Sequence, residues 1–86
     1  MARVTIRYWA AAKEAAGVAE EPVEARTLAE ALAVASAHRG RDARFHAVLA
    51  RSSFLVDGEP AGTRPQAAVA VAEGSVIEVL PPFAGG

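Results

Sequence analysis

Val76-Ile77-Glu78-Val79-Leu80-Pro81-Pro82-Phe83-Ala84-Gly85-Gly86 is the stretch on which the reading of this chain turns. Its first five residues are rich in β-branched and aliphatic types, which predicts a strand. Two prolines follow, and because neither offers an amide donor the strand stops there. Beyond them stand one apolar side chain, Phe83, and three residues with almost none. Prolines hold an exit direction in an extended path, and six residues at ~3.3 Å each reach about 20 Å. Gly85-Gly86, without Cβ atoms, would pass a constriction closed to larger residues and let the backbone lie close to a partner. The sequence thus predicts a domain over residues 1–80 and a narrow, flexible finger over residues 81–86, whose reactive group is the Gly86 carboxylate. A carboxylate is a poor electrophile until an oxygen is exchanged for a better leaving group, and adenylation by ATP is the common biochemical route. A merely frayed glycine terminus is the other reading of the same residues. Pro81-Pro82 directly after a strong strand brings the functional reading level with it.

Working back from the tail, Glu73-Gly74 reads as a turn, and Asp57-Gly58 as a two-residue hairpin connection, since both central positions need positive φ. Phe54-Leu55-Val56 is strand-like. At the other end Val4, Ile6 and Tyr8 alternate with Arg3, Thr5 and Arg7, predicting a first strand with one apolar face. The alanine-rich segment from Ala10 to Ala16 favours a short helix, ended by Gly17 in the left-handed region. Glu20 to Ala25, short, charged and containing Pro22, suits an edge strand. Thr27-Leu28-Ala29-Glu30 reads as a capping box, in which Thr27 accepts from a first-turn amide and Glu30 reaches back to the Thr27 amide. Leu28, Ala31, Leu32 and Ala35 then form one apolar stripe up to Gly40. Phe45, Val48 and Leu49 mark a second, shorter helix, and residues 67–72 stay ambiguous between strand and helix. The order is β, short α, β, α, short α, β, β, loop, β, an α+β sheet with helix cover.

The chain's 86 residues suit one domain with a modest core. Apolar residues make up 52%, but 22 of the 86 are alanine, so the bulky packing falls to few side chains. Nine Lys and Arg against ten Asp and Glu give a net charge of -1, without a basic run, which argues against nucleic acid as a partner. No apolar run nears the ~20 residues of a membrane span, and the strand-like start at Arg3 leaves no room for a signal sequence, so a cytoplasmic location is expected. There is no cysteine for a disulfide, a thiolate metal site or a thiol nucleophile, and His38 and His46 alone make no metal site. Both histidines read as surface helix residues.

The strand-Pro-Pro-x-x-Gly-Gly ending, Tyr8-Trp9 followed by Lys13-Glu14 and Gly17, and the Glu73-Gly74 turn together resemble the MoaD/ThiS sulfur-carrier family, most nearly its molybdopterin synthase small subunits. The tail pattern is specific, the other matches weak singly, and the resemblance runs from residue 3 to residue 86. It implies a β-grasp, ubiquitin-like fold: a mixed sheet of about four or five strands under helix cover, with the extended C-terminal tail. It further implies that Gly86 is adenylated with ATP by a MoeB-type enzyme and converted to a thiocarboxylate with sulfur from a sulfurtransferase or desulfurase. In the molybdopterin branch the tail, Pro81, Pro82, Phe83, Ala84 and Gly85 leading Gly86, enters a MoaE-type large subunit. There it gives sulfur to cyclic pyranopterin monophosphate, in a heterotetramer of two small and two large subunits. The resemblance implies no tightly bound cofactor and no catalytic site of the chain's own. Carriers for thiamine thiazole, cysteine or other thio-metabolites share this tail, and so do ubiquitin-like protein modifiers. A plain interaction domain with an inert tail is the reading from outside the family.

Of the remaining residues, Trp9 falls opposite the core-facing set and reads either as an interface anchor or as a cap on the alanine-rich helix. In the family an aromatic here and the residue before Pro-Pro, Leu80 in this chain, help to form the apolar sheet face that meets partners. Phe83 reads either as seated in a partner pocket, where it would steady the inserted tail, or as packed on the core, and the pocket is the favoured reading. Lys13 is the only lysine; the family usually has arginine before the glutamate, so it is either a contact for the activating enzyme or a solvated helix residue. Asp57, Glu59, Glu73 and Glu78 read as ordinary solvated groups, with Glu78 at the rim of the partner face. Gly74-Ser75 replaces the family's usual Gly-Asp, and residues 67–72 hold more alanine than its leucine-containing turn, so the resemblance supports no firm packing there, while the tail match is unaffected.

Overall fold

The structure, a computed structural model, describes residues 1–82. Strand β1 (Ala2–Tyr8) leads into helix α1 (Ala10–Ala16), β2 (Glu20–Ala25), α2 (Leu28–His38), α3 (Ala43–Arg51), β3 (Ser53–Val56), β4 (Glu59–Pro60), a 3₁₀ turn (Gln66–Ala68) and β5 (Val76–Leu80). The sheet order is β2-β1-β5-β3-β4, so β2, with its Pro22, is an edge as its composition predicts. Only the central pair is parallel, with Thr5 opposite Val76 and Tyr8 opposite Val79. Its neighbours are antiparallel, β2 on β1 and β3 on β5.

Alternation places Val4, Ile6 and Tyr8 of β1 and Ile77 and Val79 of β5 on one buried face. Against them pack the predicted stripe of α2, Leu28, Ala31, Leu32 and Ala35, together with Ala12 of α1 and Phe45 of α3. Alanines on these contacts let the helices lie close to the sheet. Each fully buried bulky side chain contributes about 1.5–3 kcal/mol, so Tyr8, Phe45, Ile6, Leu28 and Ile77 carry most of the hydrophobic stabilisation.

Several local signals behave as the sequence requires. Gly17 closes α1 at φ 80 and its amide donates to the Lys13 carbonyl. Asp57 and Gly58 take φ 51 and 83 to turn β3 into β4. The capping box forms with one correction: Thr27 Oγ1 accepts from the Glu30 amide at 3.2 Å, but the Glu30 carboxylate accepts from the Arg26 amide at 2.7 Å, not from Thr27. Pairing of β2 with β1 ends at Ala25, and the carboxylate takes the amide just beyond it.

In the region from residue 67 to residue 72, Ala67 and Ala68 complete the 3₁₀ turn and the rest forms no ladder strand. After the 3₁₀ turn, Val69 is buried and Ala70 makes an isolated bridge to Thr27. The Leu28 amide donates to the Val69 carbonyl at 2.9 Å and the Val71 amide to the Arg26 carbonyl at 3.0 Å. Ser75, where the chain departs from the family's usual Gly-Asp, is well packed. Ser75 is 5% exposed, and its hydroxyl donates to Asp57 Oδ2 at 2.8 Å while accepting from the Ala72 amide at 3.0 Å. Asp57 Oδ1 takes the Val76 amide at 2.9 Å, and Glu73 takes the Arg3 amide at 2.9 Å. Asp57 and Glu73 are therefore structural acceptors, where the turn composition suggested solvated groups.

Candidate functional site

The features that bear on function gather where β5 ends and the tail departs. Val76, Glu78 and Leu80 alternate with buried Ile77 and Val79, so they lie on the sheet face away from the helices. Leu80, half-buried, pairs with Ser53, and Glu78 stands between Arg7 and Leu55. Pro81 is buried and Pro82 exposed. Together with Ala11, Val48 and Arg51, the two prolines line a small notch of about 110 Å³. The root of the tail is thus wedged between α1, α3 and the sheet, and its direction is set before the chain leaves the domain.

Trp9 is held beside this root. Its amide donates to the Val79 carbonyl at 3.2 Å, its indole Nε1–H donates to Glu78 Oε1 at 3.2 Å, and the residue is 45% exposed. Its ring is presented on the surface and does not close the core. Ala10, which follows it, adopts φ 47, a left-handed setting that costs a residue with a Cβ atom about 1–2 kcal/mol. Lys13 is exposed and lines a different depression with Glu14, Gly17, Val18 and Ala19, so the structure does not bring it to the root. Phe83, Ala84, Gly85 and Gly86 lie outside the described residues.

One cluster has no counterpart in the sequence reading. Glu21, on the core-facing side of edge strand β2, accepts a hydrogen bond from the Tyr8 hydroxyl and pairs with Arg39 Nη1 at 2.7 Å, with His38 Nδ1 at 3.5 Å. The Arg39 guanidinium stacks over Phe45 at 4.4 Å and Tyr8 at 5.4 Å, and it donates to the Ala35 and Ala16 carbonyls at 3.1 and 3.2 Å. It therefore ties together the ends of α1 and α2, the edge strand and the core. Burial, then the Glu21 carboxylate, holds the Tyr8 phenol well above its ordinary range, against a smaller opposing effect of Arg39. Because Tyr8 pairs with Val79, this buttress lies beneath the tail root. Its one linear signal is a charged residue, Glu21, at an inward position of an alternating strand.

His46 is half-buried rather than fully at the surface, with Nε2 at 2.8 Å from the Gly40 carbonyl. Among the described residues no group of three or more His, Cys, Asp and Glu could hold a metal ion, and no helix is long and apolar enough to cross a membrane. What the described residues offer chemically is presentation: a stiff root at Pro81 and Pro82, an exposed indole and an apolar edge around it.

A family model described as the ThiS family matches residues 6–86. The chain belongs to the ThiS family. No curated protein matches it in sequence. Among solved structures, this ThiS-family chain is similar to small archaeal modifier protein 1 from Methanosarcina acetivorans, with a TM-score of 0.82 at 20% identity over 100% of this chain and 98% of that one. A putative molybdopterin converting factor subunit 1 from Pyrococcus furiosus gives 0.73 at 22% identity over 96% and 100%. The complex of subunits 1 and 2 of the molybdopterin-converting factor from Helicobacter pylori gives 0.69 at 20% identity over 98% and 99%. These likenesses show the ubiquitin-like β-grasp fold, with its five-stranded mixed sheet. As a ThiS-family member the protein is of the small sulfur-carrier type.

Proposed function

We propose that the protein is a sulfur carrier for molybdopterin synthesis, the small subunit of a molybdopterin synthase. The observation that carries this reading is the family match running through the final Gly86, behind a root that Pro81 and Pro82 wedge into the fold. A Gly86 carboxylate oxygen would attack the α-phosphorus of ATP in a MoeB-type enzyme, releasing pyrophosphate and leaving an acyl adenylate. The terminal sulfur of a persulfide on a sulfurtransferase or desulfurase would then displace AMP to give an acyl disulfide, and attack of a partner's thiol on the donor-side sulfur would release the thiocarboxylate and leave a disulfide on the donor. The loaded tail, residues 81–86 projecting from the domain of residues 1–80, would insert into a MoaE-type large subunit and give its sulfur to cyclic pyranopterin monophosphate. Phe83 would settle in the partner's cleft, with Ala84 and Gly85 passing its narrowest part. Trp9 and Leu80 would rest on the rim, and Lys13 would meet the activating enzyme further out.

In this scheme the carrier behaves as a tethered cosubstrate in the cytoplasm, with no tightly bound cofactor and with catalytic groups supplied by its partners. The likeness to a molybdopterin converting factor subunit 1 solved together with its subunit 2 supports such a pairing. The likeness to a small archaeal modifier supports a second reading, in which the activated Gly86 carbonyl is attacked by a lysine amine of a target, forming an isopeptide and releasing AMP.

The test is intact-mass measurement after incubation with ATP, a MoeB-type enzyme and a sulfur source. The expected result is a gain equal to the difference between one sulfur and one oxygen atom, abolished by deletion of Gly86. The large subunit and the pyranopterin are then added to the loaded carrier, and molybdopterin should form. An unchanged mass with enzymes active on their own carriers would refute the reading, and conjugates on target lysines in place of sulfur would establish the second.

A further inference from the structure

The tail root has two chemically different flanks. On the outer sheet face stands the Trp9 indole, bonded to Glu78. On the helix side stands Arg51, the last residue of α3, lining the notch with Ala11, Val48, Pro81 and Pro82. Arg7, Arg39 and Arg44 are paired with Glu20, Glu21 and Glu14, and Arg64 is held by the Ala61 and Pro60 carbonyls. Arg51 is exposed and, among the described residues, has neither an ion-pair partner nor a side-chain hydrogen bond. Because Pro81 is buried and proline φ is fixed, the first tail residues follow the body of the domain in any rotation about the tail axis. A contact on one flank of the root therefore sets the roll of the whole domain on its partner.

We infer that Arg51 is a positioning residue that pairs with a carboxylate at the mouth of the activating enzyme's cleft and sets the roll at which the tail enters. The inference rests on the reading that Gly86 is adenylated. A guanidinium presents a planar fork that fits a carboxylate through two parallel hydrogen bonds. Ala11, Val48 and Pro81 line the notch together with Arg51, so a partner carboxylate covering this flank would meet the guanidinium beside apolar surface, where a charged contact is stronger than in open water. A helix C-terminus also favours a cation through its dipole. That explanation alone places the effect of Arg51 in domain stability and leaves recognition untouched, so the two separate experimentally.

The experiment measures adenylation rate against carrier concentration with a MoeB-type enzyme, for wild type, Arg51→Gln, Arg51→Glu and Arg41→Glu, each first checked by thermal unfolding. Arg41 is exposed just before the opposite end of α3 and controls for net charge. Arg51→Glu is expected to raise KM about tenfold and Arg51→Gln about threefold, with kcat held within about twofold and the gap shrinking as salt is added. Arg41→Glu should match wild type. Equal KM for Arg51→Glu and Arg41→Glu, or a KM change indifferent to salt, would overturn the inference while wild type is still adenylated. Arg51→Gln decides the question if Arg51→Glu unfolds. Failure of wild type itself would remove the adenylation reading and this inference with it.

Discussion

Replacing Arg39 by alanine takes away the guanidinium that joins α1, α2, β2 and the core, and the structure allows the loss to be sized. Arg39 and Glu21 are only 11% and 16% exposed, with 2.7 Å between their charged atoms. Removing one partner of a buried ion pair costs about 3–5 kcal/mol, because the charge left behind remains desolvated. Here the Tyr8 hydroxyl and His38 still face Glu21 and some solvent reaches it, so the lower end applies. Loss of the cation over the Phe45 and Tyr8 rings adds about 0.5–1 kcal/mol. The sum, about 3–4 kcal/mol, is a large part of the ~5–15 kcal/mol that holds a domain folded. At about 4–8 °C per kcal/mol for this size, Tm should fall by about 12–30 °C.

Guanidinium chloride unfolding followed by the emission of Trp9, the single tryptophan, measures the effect as a lower midpoint at unchanged slope. Arg39→Lys keeps the charge but not the planar fork or its stacking, and should recover only part of the loss. A double-mutant cycle of Arg39→Met with Glu21→Gln should give a coupling of about 1.5–3 kcal/mol. A loss below about 1 kcal/mol for Arg39→Ala, the value of an exposed pair, would refute the reasoning.

Tyr8 is the single tyrosine, so phenolate absorbance reports on it alone. Its folded pKa is raised above the ordinary 10.0, so the protonated form is favoured in the fold. The stabilisation is complete below pH 10.0 and is lost as pH climbs toward the folded value. Phenolate should therefore appear together with alkaline unfolding, and Tyr8→Phe should flatten that alkaline loss while costing about 1 kcal/mol near neutral pH. Phenolate forming well below the unfolding transition would contradict the burial argument. Asp57→Ala removes the acceptors of the Ser75 hydroxyl and the Val76 amide and sets alanine at φ 51, for a loss of about 2–3 kcal/mol. Asp57→Asn, which tolerates that φ and keeps one acceptor, should lose about 1 kcal/mol, and equal Tm values for the two variants would argue against the hydrogen-bonded role.

Several features were settled within a few residues of chain and so were legible in the sequence. Alternation at Val4, Ile6 and Tyr8 marks an apolar face whatever the strand pairs with. Thr27 caps α2 through its own first turn, Asp57-Gly58 turns because both tolerate positive φ, and Pro81-Pro82 stop a strand because they lack amide donors. The family, too, was legible through its tail, since that pattern is read along the chain. The expectations for Phe83, Ala84, Gly85 and Gly86 fall on residues beyond those the structure describes. Residues 67–72 were not legible, because four alanines and two valines fit a strand and a helix alike, and their path is decided by the bridge to Thr27.

Only the tertiary structure decided what meets across the sheet. The parallel pairing of β1 with β5 brings Trp9 beside Glu78, although they are 69 positions apart, and puts the Tyr8 buttress under the tail root. Glu21 reads along the chain as an edge charge and Arg39 as the residue after a helix; packing turns them inward onto one another and supplies the rings between. The same packing sets Arg51 against the prolines. The sequence by itself determined that the last strand is halted by Pro81-Pro82 ahead of a side-chain-poor tail, because backbone and side-chain chemistry are local. The charged and aromatic flanks of that tail belong to the fold, because elements remote along the chain supply them.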